Sequence, residues 1–252
     1  MRFSLTQLER ISCPQRFRWQ VVEGWEPTRR SEKVLKGSAC HEGWKVYYAP
    51  VEDRLADMQA AIYDTLSANE ESDDLFAKKF AEAYHRFAEK EDNFEIVSQE
   101  TRIDNPDWPC TGKPDMLIKS NDQLLVMEFK TTSQSLSTFL SGLYTPTQAI
   151  AYAGMAGAAG YVYTIAHLPT FAFLRPPPYL ISDFQRKYVY QQLALALERA
   201  EYYATIEPQY LPANWSSACF WQCWFYEVCK ALRTGFDYQH VLLHSGLYLP
   251  RE

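Results

Sequence analysis

The sequence predicts an α/β sandwich, a central and mostly antiparallel sheet with helices packed against it. Three observations lead there. Apolar residues recur at helical spacing up to about residue 90, and the pattern then changes to that of strands between 94 and 130. Two of those strand-like runs are joined by Ser120-Asn121-Asp122, a short polar turn of hairpin type.

The elements follow in order. Residues 4–22 alternate apolar and basic positions at helical spacing, with Ser4 suited to cap the start. A helix is expected from 37 to about 49, and others at 52–66 and 74–90, where Asp73 and Asp74 complement the N-terminal dipole. Residues 94–103 (FEIVSQETRI), 110–119 (CTGKPDMLIK) and 123–130 (QLLVMEFK) read as three strands. A helix at about 146–156 comes next. Strands at 159–166 and 170–175 follow, parted by a turn at Leu168-Pro169. After RPPPY, read as a rigid loop although PPPY matches a WW-domain ligand, a long helix covers about 182–204. A tail rich in Cys and Trp closes the chain, and no internal repeat or low-complexity linker is present.

Composition narrows the class. The 252 residues are 47% hydrophobic and 22% charged, ordinary for a globular protein. No apolar run approaches the roughly 18 residues of a membrane span, and the N-terminus lacks the apolar centre of a signal peptide, so a cytoplasmic location is expected. The net charge of −6 is unevenly spread: residues 1–36 hold eight Lys/Arg against four Asp/Glu, and residues 51–100 hold five against fourteen. A local basic groove suffices for nucleic-acid binding, so the total does not forbid it. Arg10, Arg16 and Arg18, with Arg29, Arg30, Lys33 and Lys36, could track a DNA backbone or form a solvated helix face.

The chemistry is concentrated in the hairpin. With the turn centred between Asn121 and Asp122, Asp115 lies directly opposite Glu128, and Lys130 shares the face of Glu128. Opposed carboxylates repel, which a purely structural sheet avoids. A hard divalent cation such as Mg²⁺ removes the conflict, and with a neighbouring lysine it can activate water against a phosphodiester. His41, in KGSACHEGW upstream of the sheet, could add a ligand. Gln148 and Tyr152 lie four apart in TPTQAIAYAG and share a helix face.

In this order, His41, G-K-P-D ending at Asp115, E-F-K at 128–130 and Q-x-x-x-Y at 148–152 resemble the RecB-type branch of the PD-(D/E)xK nucleases, from about residue 3 to 230. The resemblance implies a restriction-endonuclease-like α/β core with a central mixed sheet flanked by helices. It implies that His41, Asp115, Glu128 and the backbone carbonyl of Phe129 bind Mg²⁺ or Mn²⁺. Lys130 would activate water or steady the transition state, and Gln148 and Tyr152 would position substrate. Glu100 is an accessory candidate.

Cys219, Cys223 and Cys229 look like a ligand set one member short, with Cys13 the expected fourth. Four thiolates suit an iron–sulfur cluster and also Zn²⁺. The arrangement resembles the iron–sulfur RecB-like nucleases, including CRISPR-associated Cas-four exonucleases, and implies a [4Fe–4S] cluster joining the N- and C-terminal segments. The three residues between Cys219 and Cys223, where that family more usually has two, leave zinc or an empty site open. Cys40 and Cys110 are expected in the core. Trp215, Trp221, Trp224, Phe225 and Tyr226 would shell the cluster or stack on single-stranded bases.

The expectation is a single RecB-like nuclease domain, with 37–204 as core and 1–36 with 205–252 as a cluster-bound cap. It would be an exonuclease on single-stranded DNA ends, in CRISPR adaptation, recombination or repair, with a helicase or CRISPR integrase as partner. The rivals are an endonuclease on the same fold and a catalytically idle adaptor that binds DNA or CRISPR proteins.

Overall fold

Polar caps and buried apolar stripes set the helices of the computed structural model, which describes residues 2–28, 31–69, 73–141, 146–212 and 223–250. The chain divides into two compact units. One comprises Met1–Arg30, Trp108–Thr111 and Tyr190–Glu252, and the other comprises Ser31–Asp107 and Gly112–Val189. Among the described residues, no helix is long and apolar enough to cross a membrane.

The first unit begins with α1 (Leu5–Glu9), where Ser4 and Gln7 form a reciprocal capping box. The single helix expected over 4–22 is broken. Pro14 opens α2 (Pro14–Phe17), and Cys13 before it is extended, because a residue ahead of proline is driven out of the helical region. A π-helical turn at Arg18–Val22 and β1 (Trp25–Pro27) follow.

The second unit carries the sheet. Its α3 (Glu32–Tyr47) starts five residues before the expected Gly37 and buries Leu35, Ala39, Cys40, Gly43, Trp44 and Tyr47 on one face. Gly43 is required there, since a Cβ would lie 2.6 Å from Ile62 Cγ1 on α4 (Arg54–Ser67). The carboxylates of Asp53 and Asp73 cap α4 and α5 (Asp74–Glu91) by accepting from the amides of Ala56 and Phe76. These helices enclose Trp44, Phe80 and Tyr84 with sheet residues Met116, Met127 and Phe129.

The sheet order is β2 (Glu95–Gln99), β3 (Met116–Ser120), β4 (Gln123–Thr132), β5 (Gly160–His167), β6 (Ala172–Leu174), with β7 (Tyr179–Leu180) also on β5. The β4–β5 pair is parallel and the others antiparallel, so the sheet is mixed. The crossover runs through α6 (Leu136–Ser141) and α7 (Thr147–Ala156), which ends on left-handed Gly157. Asn121 and Asp122 both have positive φ, the backbone that a two-residue type I′ hairpin needs and that Asn and Asp tolerate. Both early strands are shorter than expected. β2 stops at Gln99 because Glu100 turns to φ 45°, and β3 starts only after Pro114, which has no amide to give a ladder. Helix α8 (Asp183–Thr205) begins here, and the division between units falls after its Val189.

The tail of the first unit forms α9 (Tyr226–Thr234), α10 (Tyr238–His244) and β8 (Tyr248–Pro250), which pairs with β1. Trp19, Phe225, Val228, Leu242 and Tyr248 make a small core for it. None of these short elements was expected from periodicity.

Candidate active site

The hairpin register is Met116 opposite Met127 and Ser120 opposite Gln123; continued by one residue it sets Asp115 against Glu128. Central strand β4 is covered on both faces from Leu125 to Phe129, so Glu128 is only 2% exposed. The two acids are interlocked. The Asp115 amide donates to Glu128 Oε1 (3.3 Å), and Asp115 Oδ2 accepts from the Phe129 amide (2.7 Å). Asp115 Oδ1 lies 3.6 Å from His41 Nδ1 on α3. Trp44, one turn further along α3, meets the His41 ring edge-on and stacks on Phe129 at 4.6 Å, which fixes α3 against β4.

Lys130 Nζ donates to Glu128 Oε2 (3.0 Å) and to Gln148 Oε1 (3.0 Å), and Gln148 Nε2 donates to the Tyr152 hydroxyl (3.3 Å). The structure thus brings together His41, Asp115, Glu128, Lys130, Gln148 and Tyr152. Periodicity missed Gly112: a Cβ there would sit 2.6 Å from Met155 Cε and 2.7 Å from the Tyr152 ring, so only glycine seats α7 against the segment leading into β3. The glycine of G-K-P-D was the available signal. Trp44 carried no signal beyond its core periodicity.

The electrostatics divide the acids. Burial pushes the Glu128 carboxyl up to about 7, the Asp115 charge adds to the rise, and Lys130 only partly opposes it. Burial also works against ionised Asp115, but His41, the Phe129 amide and Lys130 outweigh it and hold this carboxyl below its usual range. One site therefore holds a stabilised carboxylate beside a strained one. An imidazole and two carboxylates are the right kind of donors for a hard divalent cation, and the uncompensated burial of Glu128 is the stress such an ion relieves. Among the described residues, however, no three His, Cys, Asp or Glu side chains already converge as a ligand set.

The basic candidates differ among themselves. Arg18 donates to Glu23, to the Ala204 carbonyl (2.7 Å) and to the Ile206 carbonyl (3.3 Å), which ties its head group within the first unit rather than presenting it to a phosphate. Arg16 donates to Gln20. Lys36 is ion-paired with Glu32 and Asp73. Arg29 and Arg30 lie outside the described residues.

Cys13, Cys223 and Cys229 all belong to the first unit; Cys219, Trp215 and Trp221 lie outside the described residues. Burial raises the Tyr248 phenol above its usual range, and the charges of Cys223, Cys229 and Glu227 add to the rise. Cys40 and Cys110 are fully buried, with thiols pushed well up by burial, that of Cys110 to about 11. Such thiols are inert packing groups.

The PD-(D/E)XK nuclease superfamily matches residues 2–230. No curated protein matches the chain. A solved structure described as "Crystal structure of SSO0001" is similar over 90% of this chain and 95% of its own, at 14% identity. Its TM-score of 0.36 makes that likeness too loose to carry a structural inference.

Proposed function

Because the chain belongs to the PD-(D/E)XK nuclease superfamily, we propose that it hydrolyses the DNA backbone at the Asp115–Glu128–Lys130 site, as a RecB-like exonuclease on single-stranded ends. The observation that carries this reading is the interlocked acid pair with Lys130 fixed between Glu128 and Gln148. His41, Asp115 and Glu128, with the Phe129 carbonyl, would hold Mg²⁺ or Mn²⁺. When bound, the ion supplies charge neutralisation for the acids and for the phosphate under attack.

The chain's own groups do the rest. Lys130 keeps an ammonium beside the acids, where it can steady charge that develops on a phosphate oxygen or help orient water. Gln148 also accepts from that ammonium, and Tyr152 fixes the Gln148 amide. Cys13, Cys219, Cys223 and Cys229 would hold a [4Fe–4S] cluster or Zn²⁺; the crowding of three of these cysteines into residues 219–229 supports a common site. CRISPR adaptation, recombination or repair, with a helicase or integrase partner, are the settings that this activity suits.

The test is degradation of end-labelled single- and double-stranded DNA by purified protein, with Mg²⁺ or Mn²⁺ and with EDTA. Metal-dependent loss of single strands from their ends supports the reading. Intact DNA under both metals overturns it and leaves a DNA-binding adaptor.

A further inference from the structure

Glu100 sits in the left-handed region at φ 45°, where a side chain bearing Cβ is disfavoured. Strain of this kind persists only where the surroundings impose it, and it gathers at working sites. Two contacts impose it here. The Glu100 amide donates to the Asp115 carbonyl at 3.0 Å, and its carboxylate Oε2 lies 2.6 Å from Lys113 Nζ.

Lys113 is firmly mounted. Gly112 before it exchanges both backbone hydrogen bonds with Ile103 (2.7 and 3.1 Å), and Pro114 after it has a fixed φ. Its ammonium stands largely in solvent, with the side chain 57% exposed, while the Glu100 side chain is 26% exposed. Only Pro114 separates Lys113 from Asp115, a backbone span of at most about 7 Å. A cation there is within one nucleotide's reach of the acids, and its present counter-ion is a carboxylate that the backbone is bent to deliver.

On the reading that the chain cuts DNA, we propose that Lys113 grips a backbone phosphate next to the one being cut, and that Glu100 is the stand-in anion it leaves to do so. A phosphate in the groove competes with the Glu100 carboxylate for one ammonium. Substrate binding therefore includes the cost of breaking that ion pair, and removing the carboxylate should tighten binding rather than weaken it. A merely structural pair predicts the reverse, because either half would then be lost to the site.

The experiment measures fluorescence anisotropy of a labelled single-stranded oligonucleotide with full-length protein in EDTA, over a range of salt. It is paired with cleavage kinetics in Mg²⁺ or Mn²⁺. Lys113→Ala should weaken binding several-fold, lower the slope of log K against log salt by about 0.7, and raise KM more than it lowers kcat. Lys113→Arg should restore the slope. Glu100→Gln should bind several-fold more tightly at low salt. Glu100→Gly, which is relaxed at this φ, should match it, showing that the carboxylate and not the strain is responsible. Neither change should matter once Lys113 is replaced by Ala. Unchanged affinity and slope in Lys113→Ala, or weaker binding in Glu100→Gln, overturns the proposal while wild-type cleavage leaves the nuclease reading intact. Wild-type protein that binds without cutting sinks the nuclease reading and leaves the grip supported if the slopes behave. Protein that neither binds nor cuts overturns both.

Discussion

Substituting Glu128→Gln should make the metal-free protein more stable at neutral pH and leave it inactive. The Glu128 carboxyl is buried beside Asp115 and titrates near 7 in the folded chain, against a usual 4.5. A carboxyl whose folded pKa is raised binds its proton more tightly when folded. Its contribution is therefore fully present below about 4.5 and is lost as pH rises through about 7. The rise corresponds to a loss on the order of 3 kcal/mol. Asp115 works the other way and outside this window: its carboxyl is held below the usual 3.8, so what it contributes disappears only in more acidic solution. The amide introduced by Glu128→Gln has the same shape and no charge, and so should not show the loss.

The assay is thermal denaturation of both proteins in EDTA from pH 5 to 8. Near pH 5 the two should melt close together. By pH 8 the variant should lead by up to about 3 kcal/mol, roughly 6–12 °C for a chain of this size. Titrating groups that do not interact with Glu128 cancel in the difference between the proteins. Saturating Mg²⁺ or Mn²⁺ should then raise the wild type and close the gap, because an ion that binds only the folded state adds stability, while the variant has lost a ligand. A gap that stays constant across the pH range, or equal stabilisation of both proteins by metal, would refute the reasoning.

Other outcomes follow from the same geometry. Asp115→Ala and Glu128→Ala should lose both metal affinity and cleavage, whereas Lys130→Ala should keep metal binding and lose about a hundredfold or more in kcat, as read by calorimetry and single-turnover kinetics. Gly112→Ala places a Cβ against Met155 and Tyr152, and should cost about 1–3 kcal/mol in thermal stability. It should also lower kcat by shifting the Tyr152–Gln148–Lys130 chain. Metal assays and absorption spectra should show Cys13→Ala and Cys229→Ala losing iron or zinc together, and Cys40→Ala and Cys110→Ala retaining it.

The hairpin was legible because its determinants are local. Asn121 and Asp122 are residues that accept positive φ, and once the turn is placed, alternation alone opposes Asp115 and Glu128. Helices α4 and α5 were legible for a similar reason, each carrying its own aspartate cap and buried stripe. Strand ends were not, because they are set by partners distant in sequence. β2 ends where Glu100 turns towards the Asp115 carbonyl, and no pattern within residues 94–103 encodes that hydrogen bond. The direction of β5 was equally hidden: its burial is continuous, and only its ladder with β4 makes it parallel. In the site, the identities of Asp115, Glu128 and Lys130 could be read, but not the interlock through the Asp115 and Phe129 amides.

That interlock explains how a buried acid pair survives folding before any ion arrives. Glu128 accepts from the backbone amide of Asp115 itself and Asp115 from that of Phe129, the residue after Glu128, so the two are held in register through backbone amides. The remaining charge is shared unequally. Asp115 has His41 and Lys130 to favour its ionised form, whereas for Glu128 burial and the Asp115 charge outweigh Lys130. Relieving Glu128 with a second lysine would have favoured the empty fold. It would also have filled the place where the proposed cation would neutralise both acids. Leaving one acid under-compensated gives the folded site a free-energy difference that a proton, or the proposed cation, would collect, so binding such an ion would add to the stability of the folded chain.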